Sequence, residues 1–278
     1  MGIVLAGAVW AAAPPPKAAP KPLRVTNAIL HQGREDGAAI SSSYEFIGGE
    51  LLYLSFQVAN YTAQKDLVQV RYQLIVTDPE GVLCMEPVTG KVEVEMSEND
   101  KNWLPRVRET IPLPPLLPSG VFHLKIHVAD EYSKTSAEET IDFGVRGRSV
   151  APAEKLVIRD FMFYRTEDER EPAVPPVFRG GDPIFARFLM TGFKLGEKNK
   201  FEIGYGIRVL RPNGSVLFEE PKAAEEADTP FYPKRFLLGG MSLNLSKDVP
   251  AGEYIVVVMA RDGVGGQTLE ERFRFEVR

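Results

Sequence analysis

The sequence predicts an all-β protein built from two tandem antiparallel β-sandwiches that are related by an internal duplication. Three observations support this prediction. Apolar and polar residues alternate with a period of two, as in strands with one buried face. Gly and Pro, 24 and 22 in number, separate the apolar runs, and no apolar period of 3.6 persists long enough for a substantial helix. Finally, one pattern of residues occurs twice along the chain.

The chain begins with an apolar segment that resembles a signal peptide. Residues 1–13 read MGIVLAGAVWAAA, which has the length of a signal-peptide core and ends in small residues suited to cleavage. No positive charge precedes this run, so an apolar tail is the alternative. The run is too short to span a bilayer, so no transmembrane anchor is expected in the mature chain. Residues 14–22 are rich in Pro and predict an extended spacer, and export predicts a periplasmic or secreted protein.

The duplication is visible in three matched motifs at nearly constant spacing. Offsets of 132, 133 and 132 residues relate Phe46–Glu50 to Phe178–Asp182, Tyr72–Gly81 to Tyr205–Gly214, and Pro118–Phe122 to Pro250–Tyr254. The sequence therefore predicts a first copy over 23–146, a linker over 147–155 and a second copy over 156–278.

Each copy contains about seven short runs with the composition of strands. Pro79 with Gly81, and Pro212 with Gly214, predict β-turns between hairpin strands. About 125 residues with seven antiparallel strands predict a β-sandwich. In the first copy the runs begin near Leu23, Leu51, Val68, Val82, Val107, Val121 and Thr135.

One motif carries a family resemblance. The run Leu113–Phe122, and its counterpart Val249–Tyr254, resemble the Pro-Gly-aromatic segment that leads into the next-to-last strand of immunoglobulin-like, fibronectin type III-like and macroglobulin-like domains of bacterial exported proteins. Tyr254 resembles the aromatic residue of that corner, whereas Phe122 lacks the hydroxyl. The resemblance implies tandem immunoglobulin-like folds and a role in binding or spacing, and it identifies no ligand.

Composition and motifs argue against several functions. The 278 residues hold 38 acidic and 33 basic side chains, and this excess of 38 − 33 = 5 leaves no basic surface for nucleic acid. No phosphate-binding loop, nucleophile elbow or dinucleotide fingerprint occurs, so we expect no cofactor. The acidic loop clusters at 35–36, 167–169 and 225–226 lack the alternate-residue spacing typical of calcium loops, which leaves calcium binding open.

The residues capable of catalysis or metal binding have structural interpretations. His123 and His127 would lie roughly 13 Å apart along a strand, too far for one zinc ion. Cys84 matches Phe218 in the second copy, which favours a core position over a nucleophile. Glu93 and Glu95 share one face of a strand and would be the carboxylates of a glycoside hydrolase, although a solvated strand is favoured. We therefore expect neither a catalytic nor a metal site.

A repeated loop is the first candidate for ligand binding. Residues 100–106 contain Trp103 and Arg106, and residues 228–234 contain Phe231, Tyr232 and Lys234. An aromatic side chain beside a basic one in a loop can bind a sugar ring or a peptide. The alternative is that each aromatic closes the end of its own sandwich.

The second candidate is an apolar strand face. In the second copy the outward positions are Ile255, Val257 and Met259, where the first copy has His123, Lys125 and His127. A strand that is apolar on both faces predicts a cover, which could be the first copy, a partner chain or an added strand.

These patterns predict a non-enzymatic exported protein for binding, adhesion or spacing, acting through protein–protein contacts. Its partner would be another protein or a cell-envelope polymer. A carbohydrate-binding module that uses Trp103, Phe231 and Tyr232 is the alternative, and a glycoside hydrolase is less favoured.

Overall fold

The structure is a computed structural model that describes residues 21–97, 100 and 103–278, so the predicted signal segment lies outside the described residues. Strands account for 56% of the described residues. The described residues include no α-helix, and a short 3₁₀ turn lies at Glu197–Asn199. The predicted all-β class is therefore confirmed.

Strands of the described chain fall into two groups separated by residues 146–156. The first half contains β1 (Arg24–His31), β2 (Glu45–Phe46), β3 (Leu51–Ala59), β4 (Ala63–Gln64), β5 (Leu67–Thr77), β6 (Val88–Glu95), β7 (Arg106–Pro112), β8 (Gly120–Asp130) and β9 (Ser136–Val145). The second half contains β10 (Val157–Tyr164), β11 (Val177–Phe178), β12 (Pro183–Thr191), β13 (Phe201–Leu210), β14 (Val216–Asp228), β15 (Phe236–Asn244), β16 (Gly252–Asp262) and β17 (Gln267–Val277).

Each half has a small and a large sheet with the same strand order. The small sheets are β1-β3-β7 and β10-β12-β15. The large sheets are β2-β9-β8-β5, with β4 and β6 paired to β5, and β11-β17-β16-β13-β14. Pairing is antiparallel except at the two-residue strands β2 and β11, which run parallel to β9 and β17.

The hydrophobic core of each half lies between its two sheets. In the first half Leu54 and Phe56 of the small sheet pack in one cluster with Leu124 and Ile126 of the large sheet. Alternate residues of these strands face inward because side chains in a strand point to opposite faces in turn. The result is a sandwich-like arrangement in which each sheet contributes one apolar face.

A tyrosine bridges the two sheets at matched positions. Tyr72 on β5 donates a hydrogen bond to Glu109 Oε1 at 2.5 Å, and Tyr205 on β13 donates to the Gly240 carbonyl at 2.6 Å. The Tyr205 ring meets Phe188 edge-on, with centroids 5.1 Å apart. The Tyr205 side chain is buried and the Tyr72 side chain is half-buried, and each hydroxyl has the hydrogen-bond partner that tyrosine needs when it leaves water.

A buried aspartate organises the last hairpin of each half. Asp130 accepts hydrogen bonds from the backbone N–H groups of Thr62 at 2.6 Å and Tyr132 at 2.8 Å. Asp262 accepts from the N–H groups of Lys194 and Gly265, both at 2.9 Å. Each carboxylate thus joins its own turn to a loop that follows a small-sheet strand.

The strand predicted to begin near Val82 begins at Val88 instead. Thr77 and Leu83 form only an isolated bridge after the predicted turn, which is closed by a bond of 2.9 Å from Gly81 N to the Asp78 carbonyl. Pro87 has no N–H to donate to a strand ladder, so regular pairing starts after it. The other six starts agree with the structure to within one residue.

Candidate functional site

The two halves meet where residues 229–235, which we call the docking loop, lie against the turn Asp78–Gly81 of the first half. Tyr232 of the docking loop exposes only 6% of its surface. Its ring packs in the hydrophobic core of the first half rather than in that of the second. The halves therefore share a buried contact.

The carboxylate of Asp78 is fully buried, and both of its oxygens accept hydrogen bonds. One oxygen accepts from the backbone N–H groups of Glu80 and Val82, each at 2.9 Å. The other accepts from the Tyr232 hydroxyl at 2.8 Å and from Arg235 Nη2 at 3.1 Å. A buried charge is costly unless it is paired and hydrogen-bonded. The second half supplies two of the four donors that Asp78 needs.

Cys84 lies beside this contact in the core of the first half. Burial, and then the negative charge of Asp78, raise the pKa of the Cys84 thiol to about 12, although Arg235 opposes the shift. The thiol is therefore protonated at neutral pH and is a poor nucleophile. The core position is as predicted, but the reason given by sequence comparison is wrong, because Phe218 is 41% exposed on β14.

The linker 147–155 is held at both ends. Ser119 Oγ donates to the Gly147 carbonyl at 2.8 Å and accepts from Gly147 N at 3.1 Å. At the other end Gly192 has a φ of +78°, and a Cβ atom there would lie 1.9 Å from the Lys155 carbonyl oxygen. Only glycine permits both this conformation and this close approach.

A cleft of about 380 Å³ opens between the docked halves. Leu116 of the first half and Val150 of the linker line one part of it. Phe193, Leu195 and Phe236 of the second half line another. Its size falls within the range of ligand sites, which commonly form between domains and are mostly apolar.

The rim of the cleft carries three cations and one carboxylate. Arg235 Nη1 pairs with Glu80 at 2.9 Å, and Lys234 Nζ pairs with Glu226 at 2.6 Å. Among the described residues, no carboxylate lies within 4.0 Å of the Arg148 guanidinium. The cleft mouth therefore has a positive charge without an ionic partner inside the described chain.

A smaller hollow of about 260 Å³ adjoins the cleft. Pro114, Pro115 and Pro230 line it together with Cys84 and Phe231. Phe231 exposes 46% of its surface here. Leu116 and Lys234 line both cavities, so the hollow and the cleft form one continuous surface along the junction.

The predicted ligand loops lie at different places and do not form one site. Phe231, Tyr232 and Lys234 lie at the junction, with Tyr232 buried and Phe231 exposed. Trp103 is half-buried, and its carbonyl accepts a hydrogen bond of 2.8 Å from the Tyr61 hydroxyl.

Trp103 and the docking loop are at opposite ends of the first half. Tyr61 follows β3 near Asp130, which pairs with Val70, whereas the Asp78 turn follows Thr77 at the far end of β5. Seven residues of strand separate Val70 from Thr77, or roughly 23 Å. Arg106 is exposed at the start of β7.

The apolar face of β16 is covered locally. Val257 is only 1% exposed, and Ile255 and Met259 are half-buried. Arg208 on β13 reaches Glu270 on β17 at 3.9 Å, and these strands flank β16, so the ion pair crosses over it. Long charged side chains can cover apolar surface with their stems. Within the described chain the cover over Val257 therefore comes from neighbouring strands of the same sheet, a source that was not among the three expected.

Other chemically capable residues are dispersed. His123 and His127 lie on strand β8 as predicted, with His123 Nδ1 2.7 Å from Asp142. Glu93 and Glu95 are exposed on the edge strand β6, and a hydrogen bond from Lys91 is the main cause of the lowered pKa of Glu93. Across the described ranges, no group of three or more His, Cys, Asp or Glu could hold a metal ion.

The sequence analysis did not predict that Asp78 and Arg235 join the two halves, or that Arg148 lies at the rim of the cleft. One available signal is the matched turn, where the first copy has Asp78 and the second has Arg211. The difference in charge marks a position with a different environment in each copy. Arg235 follows Lys234 directly, just past the loop identified by its aromatics.

No protein-family model and no curated protein sequence matches this chain. Among solved structures, the chain is similar to the C-terminal domain of the Streptococcus pyogenes antigen I/II-family protein AspA, with 10% identity, a TM-score of 0.31, and coverage of 92% of this chain and 100% of that one. It is also similar to the Pseudomonas fluorescens alkylpurine DNA glycosylase AlkC bound to DNA, with 15% identity, a TM-score of 0.31 and 46% coverage of this chain.

A third similar structure is red sea bream transglutaminase, with 10% identity, a TM-score of 0.26 and 85% coverage of this chain. The chain spans 31% of the AlkC chain and 30% of the transglutaminase chain. Within the part of the chain that the structure describes, no helix has the length and apolar character needed to cross a membrane.

Proposed function

We propose that this chain is a non-enzymatic, exported binding or spacer protein that contacts another macromolecule at the junction between its halves. The observation that carries the proposal is the cleft of about 380 Å³, which is framed by a buried contact and a pinned linker. A rigid scaffold that holds a concave apolar surface does not have to be ordered when a partner binds, which favours affinity.

We also propose that the two halves are immunoglobulin-like sandwiches derived by duplication. The matched strand orders support this, as do Asp130 and Asp262 at an offset of 132 residues. The hydroxyl of Tyr254 donates to the Pro250 carbonyl at 2.7 Å, a bond like that of the tyrosine corner in such sandwiches. Phe122, the matched residue, cannot make this bond.

The alternative functions receive less support from the geometry. A carbohydrate platform would need Trp103, Phe231 and Tyr232 to be exposed together, but Tyr232 is buried and Trp103 is distant. For a glycoside hydrolase, Glu93 and Glu95 would have to line a cleft, but they lie on an exposed edge strand. Protein–protein contact at the junction is therefore the function we favour.

The proposal can be tested with two exposed leucines. Residues 21–278 would serve as bait for the envelope fraction of the native host, with the Leu195→Glu and Leu238→Glu variants alongside. Leu195 lines the cleft and is 37% exposed, whereas Leu238 lies outside it and is 62% exposed. We expect a partner that is retained by the wild type and by Leu238→Glu but lost with Leu195→Glu. Full retention of every partner by Leu195→Glu would refute a binding site in the cleft.

A further inference from the structure

The cleft between the halves offers a specific combination of chemical groups to a ligand. Its apolar lining, which includes the buried Phe193 and Phe236 and the half-buried Leu116, can accept aliphatic or aromatic side chains. Such a surface alone does not distinguish among ligands. The charge at the rim of the cleft and the backbone groups of its linker wall give it selectivity among ligands.

The rim has one cation without an ionic partner in the described chain. Arg235 and Lys234 are engaged with Glu80 and Glu226, whereas Arg148 is exposed and has no carboxylate within 4.0 Å among the described residues. A guanidinium binds carboxylates with two parallel hydrogen bonds. The complementary ligand therefore carries a carboxylate next to its apolar groups.

The linker wall also has free backbone groups. Arg148 N donates to the Leu117 carbonyl at 3.2 Å, but within the described chain residues 149–153 make no hydrogen bond to other backbone groups. They lie outside the strands and are largely exposed. An extended peptide can pair with unoccupied backbone groups while its alternate side chains enter a pocket. Small apolar acids would leave these groups unused.

From this combination we propose that the cleft binds an extended peptide segment of a partner protein in which acidic and apolar side chains alternate. The apolar side chains pack against Phe193 and Phe236, and an acidic side chain binds Arg148. The peptide backbone pairs with free groups of residues 149–153, where Pro152 offers only its carbonyl. This inference rests on the proposed function and specifies the chemistry of its ligand. It predicts that the cleft binds acidic peptides in preference to basic ones, although the net charge of the protein itself is −5.

The test is an NMR titration of residues 21–278 with two synthetic peptides. One alternates Val and Asp over eight residues, and the other alternates Val and Lys. We expect the acidic peptide to shift the amide resonances of residues 148–151, Ala153, Phe193 and Phe236, with an affinity at least about tenfold above that of the basic peptide. Arg148→Glu should abolish or reverse this preference.

Arg146→Glu is the matched control, because Arg146 is also exposed, lies two residues away and does not line the cleft. It should keep the preference of the wild type, and the amide spectrum of each variant reports whether it is folded. Equal binding of both peptides, no shifts in the cleft, or an unchanged preference in Arg148→Glu would overturn the proposal.

Two further outcomes separate this inference from the proposed function. If the partner from the envelope fraction still depends on Leu195 while neither peptide binds, the cleft is a binding site but the ligand chemistry is wrong. If sedimentation shows a dimer that Arg148→Glu dissociates, a second copy of the chain occupies the cleft, and the peptide proposal is likewise overturned.

Discussion

Asp78 and Tyr232 are 154 positions apart in the chain, yet their side chains share a hydrogen bond of 2.8 Å inside the protein. Burial, and then the hydrogen bond to the Asp78 carboxylate, raise the pKa of Tyr232, so its hydroxyl remains a donor at neutral pH. The bond is charge-assisted and shielded from water, which makes it stronger than an exposed one. At the scale of single residues, this pair is where one half depends on the other.

Tyr232→Phe should lower the free energy of unfolding by about 1–3 kcal/mol, because the buried Asp78 carboxylate loses a donor while the ring is kept. Urea denaturation measures the change. Tyr53→Phe is the control, since Tyr53 is half-buried and its hydroxyl has no protein hydrogen bond in the described structure. If Tyr232→Phe lowers the free energy of unfolding no more than Tyr53→Phe does, the hydrogen bond to Asp78 makes no measurable contribution to stability.

At the scale of elements, each half is closed by a hairpin whose turn surrounds a buried aspartate. Burial disfavours the charge of Asp130, but the N–H groups of Tyr132, Thr62 and Ser133 outweigh this effect and lower its pKa. A carboxylate with a lowered pKa stabilises the fold fully above its unfolded pKa of about 3.9, and this contribution disappears as the pH falls through the folded value.

Asp130→Asn should therefore destabilise the protein by about 1.5–3 kcal/mol at pH 7, because an amide N–H₂ group would face the Thr62 N–H donor. The difference from the wild type should shrink as the pH drops below about 4, where the carboxylate is protonated in the unfolded chain, and vanish only below the lowered pKa of the folded state. Urea denaturation at several pH values measures both effects. Asp168→Asn, at an exposed loop position, should be nearly neutral at every pH. A pH-independent difference for Asp130→Asn would contradict the role assigned to its charge.

The linker is the second element with a testable constraint. Gly192→Ala would place a Cβ atom 1.9 Å from the Lys155 carbonyl oxygen at a φ of +78°, so it should be strongly destabilising. Gly214→Ala shares the conformation, with a φ of +81°, but its Cβ would meet nothing within 4 Å. Gly214→Ala should lower stability by about 1–2 kcal/mol and Gly192→Ala by more, as measured by thermal or urea unfolding. Equal effects would show that the linker does not press against Gly192.

At the scale of the whole molecule, the sequence predicts the strands better than their assembly. Six of the seven predicted starts in the first copy were accurate because alternation and turn residues are local signals. The start at Val82 failed because Pro87 interrupts pairing. The covering of Val257 and the burial of Tyr232 depend on contacts between distant segments, which no local pattern contains.

The sequence predicts the loop at the junction only as a ligand loop with aromatic residues, and it places a possible contact between the copies at the apolar face of β16 instead. Nothing in the sequence shows that Tyr232 enters the core of the other half, or that Arg148 is left without a partner. Because the docking loop, the Asp78 turn and the pinned linker fix one arrangement, we expect the halves to tumble as one body. The cleft then persists without a ligand, which is the central claim of the proposed function.

Residual dipolar couplings of residues 21–278 test this claim most directly. Amide couplings from the strands of each half should fit one common alignment tensor with the orientation of the docked structure. The double variant with Tyr232→Ala and Arg235→Ala should give two tensors of unequal magnitude, because the contacts to Asp78 are removed. Two different tensors in the wild type itself would contradict the account, since the halves would then move independently and the cleft would not be a fixed site.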